Sequence, residues 1–409
     1  MRSVAEAQKC VLEQVRPLPP VTARLDAPPL GLVLAEDIIS DVDMPPFTKA
    51  LMDGYAIRAS SLSGGMSELT VVEEITAGKW PVCGIGPGEA AQIMTGAPLP
   101  EGADAVVMRE RSQTLEGNRV RLEDAAIRPG SNVMPRGREM RRGDVVLKCG
   151  TRIRPQEAGL LATVGRTAFQ VHPAPRVAIL STGDEVVEPT ATPRPGQIRN
   201  GNGSMLVAQV CRAGGVPRYL GIAGDRVEAL RPRIVEGLGD DVLILSGGVS
   251  AGKLDLVPQV LADLGMRALF HKVSMKPGKP VLFGVRSRQT GDDPPHLVFG
   301  LPGNPVSAMV CFELFVRPAL RALMALPPGP PFVQASLAED FAYRTDRPTY
   351  HPARLWSTEG RWLVQPVPWF GSPDLRAVAA ANAFVVFPEG DHRHGAGETF
   401  PVLCVEDRE

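Results

Sequence analysis

A chain of 409 residues, 44% hydrophobic and 22% charged, is too long for one hydrophobic core and reads as a soluble globular protein of two to four domains. Its formal net charge of −1 offers no electrostatic footprint for nucleic acid or an anionic membrane. The six cysteines form no C-x-x-C pair, and the six histidines show no ligand spacing beyond His392/His394. This argues against a zinc site or a disulfide framework and for a reducing cytoplasm.

Met1 to Val15 carries Glu6, Lys9 and Glu13 at helical spacing and lacks an apolar h-region, so a helix is expected and a signal peptide is not. A Pro-rich link and a short strand around Val33–Ile39 follow. From about 41 to 147 short strands broken by Gly and Pro are expected, at Leu69–Ile75, Ala91–Met94, Ala105–Met108 and Arg119–Leu122. Arg152-Ile153-Arg154-Pro155 leads into a helix over Gln156–Val164. If that helix packs back on the N-terminal one, the β-rich unit is an insertion in a discontinuous first domain.

From Arg176 strands alternate with helices: strand Val177–Leu180, helix Ser204–Ala213, strand Arg218–Ile222, helix Val227–Glu236, strand Val242–Leu245, helix Asp255–Leu264. This alternation predicts a parallel α/β sheet. Strands near Leu269–Val273, Val281–Val285 and Leu297–Phe299 precede a long apolar helix from Pro305 to about Met324. Its most apolar run, Val306 to Val316, is too short to span a bilayer and includes Glu313. A stiff Pro-rich linker, Leu326 to Pro331, leads to about 80 residues of alternating polarity, as in a small β domain.

The chemistry concentrates where strands end. Val242 to Leu245 reads as a strand buried on both faces, followed by Ser246-Gly247-Gly248-Val249-Ser250-Ala251-Gly252-Lys253-Leu254-Asp255. Strand, glycine loop and helix N-terminus is the layout in which backbone N–H groups can hold an anion. Leu254 stands where a Walker A motif needs Ser or Thr, so that site is rejected. A tight strand-to-helix turn explains one such loop equally well. Three further segments end strands: Leu180 to Glu185, Gly221 to Asp225, and Phe299 to Pro305. In a parallel sheet, ligands sit outside the carboxyl ends of the strands. Acids gathered there are costly unless a cation shares them, and hard oxygen ligands suit magnesium. A helix-cap carboxylate is the commoner reading of Asp225 taken alone.

Lys276-Pro277-Gly278-Lys279-Pro280 sets two lysines on a stiff turn that could hold an oxyanion or simply face solvent. Asp53-Gly54 is a hairpin-turn signal and, alone, structural. The basic run Arg136 to Arg142 reads first as a solvated face, and His392 and His394 as surface residues.

Together these segments make the chain resemble the molybdopterin molybdenumtransferases, the family of the MoeA proteins and the E domain of gephyrin. The motifs occur in the family's order: Pro45-Pro46-Phe47 with Met52-Asp53-Gly54-Tyr55-Ala56, Ile93 to Asp104, Ser181 to Glu185, Ser246 to Ser250 with Gly252 and Asp255, Lys276 to Pro280, and Gly300 to Pro305. Gly371-Ser372, Ala381-Asn382 and Pro388-Glu389-Gly390 complete the match.

The resemblance implies four domains: a discontinuous linker domain (1–40 plus 148–172), a β-rich insertion domain (41–147), a three-layer α/β molybdopterin-binding domain (173–326) and a C-terminal β-barrel-like domain (332–409). It implies a cytoplasmic homodimer, with molybdopterin adenylyltransferase and molybdoenzymes as partner proteins and neither nucleic acid nor membrane. Its reaction would insert molybdenum from molybdate into adenylylated molybdopterin, with Mg2+-dependent cleavage of the adenylate and release of AMP. Glu185, Asp225 and Asp255 would hold magnesium, and with Asp53, Lys276 and Lys279 they form the expected catalytic set. Substrate contacts would come from Thr95, Ser181, Gly183, Ser246, Gly247, Gly248, Ser250, Gly252, Pro302, Gly303, Asn304 and Ser372. Asp53 and Glu139 would act from the insertion domain of the second subunit.

Two departures stand out. Where the family usually reads Phe-Asp-Asn-Ser-Ala, this chain has Phe47-Thr48-Lys49-Ala50-Leu51, and where it reads Gly-Glu-Asp this chain has Gly137-Arg138-Glu139. Both make the insertion domain less acidic. They keep two alternatives open: a non-catalytic molybdopterin-binding storage or scaffold protein, and a molybdopterin adenylyltransferase, which shares the α/β fold.

Overall fold

The apolar run at Val242–Ser246 is the structural centre of its unit, a strand buried at every position. The structure, a computed structural model, describes all residues except 28, 63, 250–255, 289–293, 330, 331 and 406–409. The chain divides into two compact units, one of residues 1–22, 31–35 and 170–409 and the other of 23–30 and 36–169.

In the larger unit a six-stranded sheet is formed by β1 (Arg176–Thr182), β2 (Val216–Ala223), β3 (Val242–Ser246), β4 (Arg267–Phe270), β5 (Leu282–Arg286) and β6 (His296–Leu301), in the order β2-β1-β3-β6-β5-β4. The expectation of a parallel sheet holds for β2, β1, β3 and β6. It fails at β5 and β4, which run antiparallel. No helix lies between β4 and β5 or between β5 and β6 among the described residues, and a parallel return needs a long crossover.

Helices cover both faces. On one face α1 (Val4–Leu12), α3 (Gly201–Arg212) and a helical run from Pro305 to Leu323 share a core with Ile244, Phe283 and Phe299. On the other, α4 (Val227–Gly237) and α5 (Val257–Asp263) pack on Leu180, Leu243 and Leu245. The helix beginning near residue 255 is thus seen from Val257 onward. A capping box between Ser3 and Glu6 starts α1. Its packing partners within its unit are residues 312–323 of the long helix, and in the smaller unit the helix expected over 156–164 is α2 (Pro155–Thr163). The C-terminal residues form a closed barrel of strands Phe332–Leu337, Arg361–Pro366, Thr349–Thr358, Ala383–Phe387 and Thr399–Cys404. His394, expected at the surface, is only 8% exposed, stacked on Phe387 and edge-on to Phe400, while His392 is exposed.

The smaller unit carries its own six-stranded sheet of Ala105–Met108, Gly54–Ile57, Glu89–Ile93, Met66–Ile75, Arg119–Glu123 and Ser112–Leu115. The strand signals of 69–122 therefore mark real strands. Asp53-Gly54 does not make a hairpin: Gly54 opens a strand, and a Cβ there would lie 1.9 Å from the Val107 carbonyl oxygen.

The long helix of the larger unit is interrupted by a π-helical turn at Phe312–Val316. Within it Glu313 is fully buried, paired with Arg212 and with Arg317 at 3.6 Å, and it accepts a 2.7 Å hydrogen bond from Gln209. Arg212 also donates to the Val405 carbonyl, tying α3 to the end of the barrel domain. Removing one partner of a buried ionic cluster leaves the others without compensation. Glu313→Ala should therefore lower stability by about 3–5 kcal/mol in urea unfolding, and a change within about 0.5 kcal/mol would show the cluster to be inert.

Candidate active site

The carboxyl ends of β1, β2, β3 and β6 surround an open cleft of about 780 Å³. All four loaded strand ends read from the sequence meet there. Ser181, Gly183 and Glu185 come from the first, Asp225 from the second, and Pro302, Gly303 and Asn304 from the third. The remaining loop contributes Ser246, Gly247 and Gly248, while Ser250, Gly252 and Asp255 lie outside the described residues.

Crowding explains the glycines. Gly247 has φ +96°, and a Cβ there would lie 2.6 Å from the Thr182 carbonyl oxygen. Gly248 has φ +62°, and its Cβ would meet Thr182 Oγ1 at 2.9 Å. Only glycine fits both the left-handed backbone and the contact. Gly303 is less confined, since a Cβ on it would meet the Gly247 Cα at 3.8 Å, an ordinary contact.

Asparagines missed in the sequence reading tie the strand ends together. Asn202 donates to Ser246 Oγ at 2.9 Å and to the Gly303 carbonyl at 2.7 Å. Asn200 is buried, caps α3 by accepting from the Gly203 N–H, and donates to Ser181 Oγ and to the Tyr219 hydroxyl. Burial first, and the neighbouring Glu188 carboxylate second, push the Tyr219 hydroxyl up to about 12. The signal was present: Asn200-Gly201 is a helix-start pattern, but the helix was expected only from Ser204. The N-terminal turn of α3 thus faces the cleft, with Gly201 and Asn202 in its wall.

Glu185 and Asp225 both line the cleft and are exposed to solvent. The Glu185 carboxylate lies over Gly183, where a Cβ would come within 2.7 Å of Oε2. The Asp225 N–H donates to Asp184 Oδ1 at 3.1 Å. The helix-cap reading of Asp225 is not the arrangement found: the N-cap of α4 is Arg226. Among the described residues no three His, Cys, Asp or Glu side chains are grouped to hold a metal ion. Two hard oxygen donors in the cleft lining, with no thiol or imidazole among the described lining residues, still fit magnesium by donor type.

Ser372 joins this region from the barrel domain. Its Oγ accepts from Asn304 Nδ2 at 2.8 Å and its carbonyl from the Val306 N–H. Lys276 and Lys279 are not in the cleft wall, although the adjoining Pro280 is. Lys276 Nζ instead sits 5.5 Å from the centre of the Tyr343 ring, and its backbone pairs with Thr349. Lys279 is exposed.

In the smaller unit Asp53 Oδ1 accepts from both the N–H and the hydroxyl of Thr95, each at 2.7 Å. The Thr95 N–H, then its hydroxyl, hold the Asp53 carboxyl below the usual range. The two departures from the family's motifs meet here, since Lys49 Nζ lies 3.8 Å from Glu139 Oε1. Of the basic run, Arg136 pairs with Asp43 at 2.6 Å and the Arg142 N–H donates to the same carboxylate.

Family comparisons place the whole chain. Residues 2–165 match the "MoeA N-terminal region (domain I and II)", 178–322 the "Probable molybdopterin binding domain" and 334–405 the "MoeA C-terminal region (domain IV)". A molybdopterin molybdenumtransferase of Bacillus subtilis is 36% identical over 382 residues, covering 91% of this chain and 87% of the relative. The chain belongs to the MoeA family. Another molybdopterin molybdenumtransferase, from Staphylococcus epidermidis, is 33% identical over 99% of this chain and 96% of its own length. The crystal structure of a molybdopterin biosynthesis MoeA protein from Pyrococcus horikosii superposes with a TM-score of 0.82, at 32% identity and 99% coverage of both chains. The multidomain MoeA fold read from the motifs, with its α/β centre, β-rich N-terminal part and C-terminal barrel, is thereby shown.

Two outcomes are expected of these elements. Gly247→Ala should cost about 1–3 kcal/mol in thermal unfolding, because the new Cβ meets a backbone oxygen with no room to move; an unchanged melting curve would refute the crowding argument. Asp53, with a depressed folded pKa, stabilises the fold above the ordinary carboxylate pKa and loses that effect as pH falls through its folded value. Thr95→Val should raise the Asp53 pKa toward the usual range in a carbon-13 NMR titration, and an unmoved titration would assign the effect to the backbone donor alone.

Proposed function

We propose that this protein is a molybdopterin molybdenumtransferase of molybdenum cofactor biosynthesis. It takes adenylylated molybdopterin and molybdate as substrates and releases AMP. The observation that carries the reading is positional: nearly all the cleft-lining residues lie within 178–322, the stretch matching the molybdopterin-binding domain.

The cleft suits a phosphorylated ligand. Gly248, the N-terminal turn of α3 and the hydroxyl of Ser246 line it with small polar groups, while the Gly247 N–H and the Ser181 hydroxyl are engaged within the protein by the Leu301 carbonyl and Asn200 Oδ1. Small donors bind phosphate oxygens without displacing them by bulk. Asn202 fixes the Ser246 hydroxyl and the Gly303 carbonyl, so the wall is held in shape before a ligand arrives.

Glu185, Asp225 and Asp255 are the residues that would hold magnesium. When bound, the ion would supply charge neutralisation on the phosphoanhydride. This chain's own residues bind and orient the two anions next to each other, and Lys276 and Lys279 add positive charge beyond the cleft wall. Asp53, Thr95 and Glu139 act from the insertion domain of a second subunit in a cytoplasmic homodimer, which makes the dimer the catalytic species. The adenylyltransferase that makes the substrate and the molybdoenzymes that receive the product are the proposed partner proteins.

The test is AMP release from adenylylated molybdopterin by the purified protein with magnesium, with and without molybdate. Molybdate-dependent release is expected, reduced about a hundredfold in Glu185→Gln and in Asp225→Asn. Tight binding of the adenylate with no turnover would overturn the enzyme reading and leave a binding module.

A further inference from the structure

The cleft lining contains no Phe, Tyr or Trp among the described residues. A ligand with flat nitrogen heterocycles at its ends would therefore find polar and aliphatic walls but no ring to stack on. One aromatic side chain is nevertheless displayed beside it. Phe370 is 91% exposed, the most exposed of the large hydrophobic residues described. Its loop is not loose. The Phe370 N–H donates to Asp374 Oδ2 at 3.1 Å, the Asp374 N–H donates to the Gly371 carbonyl at 3.0 Å, and Asp374 Oδ1 caps a short helix, Leu375–Ala379.

The loop is also fastened to the cleft. Ser372 is bonded to Asn304 and Val306, and Pro373 and Leu375 are part of the cleft wall. The neighbouring Trp369 is turned inward, edge-on to His351 at 5.1 Å and packed against the core. The chain thus spends one aromatic residue anchoring the loop and leaves the next one bare, two residues from a cleft contact. An exposed phenyl ring on a rigid turn keeps its hydration penalty until something covers it.

We infer that Phe370 is a substrate-binding residue, a stacking platform at the rim of the cleft for a flat nitrogen heterocycle of the ligand. The inference rests on the proposed function, and it adds a specificity element from the barrel domain. Aromatic stacking tolerates different ring chemistry because every such base has a π face, so both the adenine and the pterin end fit this surface by chemistry. The platform accounts for recognition of the ring, while the glycine loops account for the phosphate.

The experiment measures dissociation constants of the full-length protein by calorimetry for three probes: AMP, ribose 5-phosphate and neopterin phosphate. Phe370→Ala and Phe370→Trp are compared with wild type; at 91% exposure neither change should disturb folding, and far-UV circular dichroism checks it. Phe370→Ala should weaken one ring-bearing probe about fivefold or more while leaving ribose 5-phosphate unchanged, and Phe370→Trp should restore it. Loss confined to AMP assigns the adenine end, and loss confined to neopterin phosphate assigns the pterin end. Equal weakening of ribose 5-phosphate, or unchanged affinity for both rings, overturns the inference. Wild-type protein that binds none of the three overturns the proposed function as well, so the two failures are told apart.

Discussion

Close approach of backbone to backbone at the carboxyl ends of β1, β3 and β6 is the constraint on which the cleft depends. Thr182 and Gly247 come together so tightly that a single methyl group at Gly247 would overlap the Thr182 carbonyl oxygen, and the Gly247 N–H is bonded to the Leu301 carbonyl at the end of β6. That contact fixes the direction in which the loop leaves β3. Asn202 then spans the gap from α3 to both loops. The apolar interior below supplies the rigidity: Ile244 and Phe299 on one face and Leu243 and Leu245 on the other are fully or almost fully buried. A polar site built on strand ends over such a core is positioned by packing that no ligand needs to pay for.

Much of this was legible in the sequence, for identifiable reasons. Buried strands read as unbroken apolar runs, and loops that need left-handed backbone read as glycine, so the strand ends and their chemistry follow from local pattern alone. The mixed sheet was less legible, because the direction of β4 and β5 depends on connection length rather than on local pattern. The start of α3 was placed too late because its first turn is Gly201-Asn202-Gly203, a poor helix former that is held by the Asn200 cap. His394 reads as polar in isolation, yet it is stacked on Phe387 in the barrel and hydrogen-bonded to Glu398. Periodicity cannot report such tertiary pairing.

The substitutions at 48–51 and 137–139 gain a physical account. Lys49 and Glu139, distant in sequence, face each other at 3.8 Å, with 28% and 47% of their side chains exposed. The cation at 49 is thus matched by the acid kept at 139, and the local charge is balanced rather than merely reduced. An exposed pair of this kind contributes little to stability. Its effect lies in the field that the insertion domain presents.

Closure of the C-terminal barrel has a consequence for recognition. Its five strands leave no open edge, since Thr399–Cys404 pairs with both Phe332–Leu337 and Ala383–Phe387. A partner protein cannot extend that sheet by adding a strand, the cheapest way to recruit an extended peptide. Anything that docks on this barrel must be read through loops and side chains, so its choice of partner can change with the loops while the barrel itself stays constant.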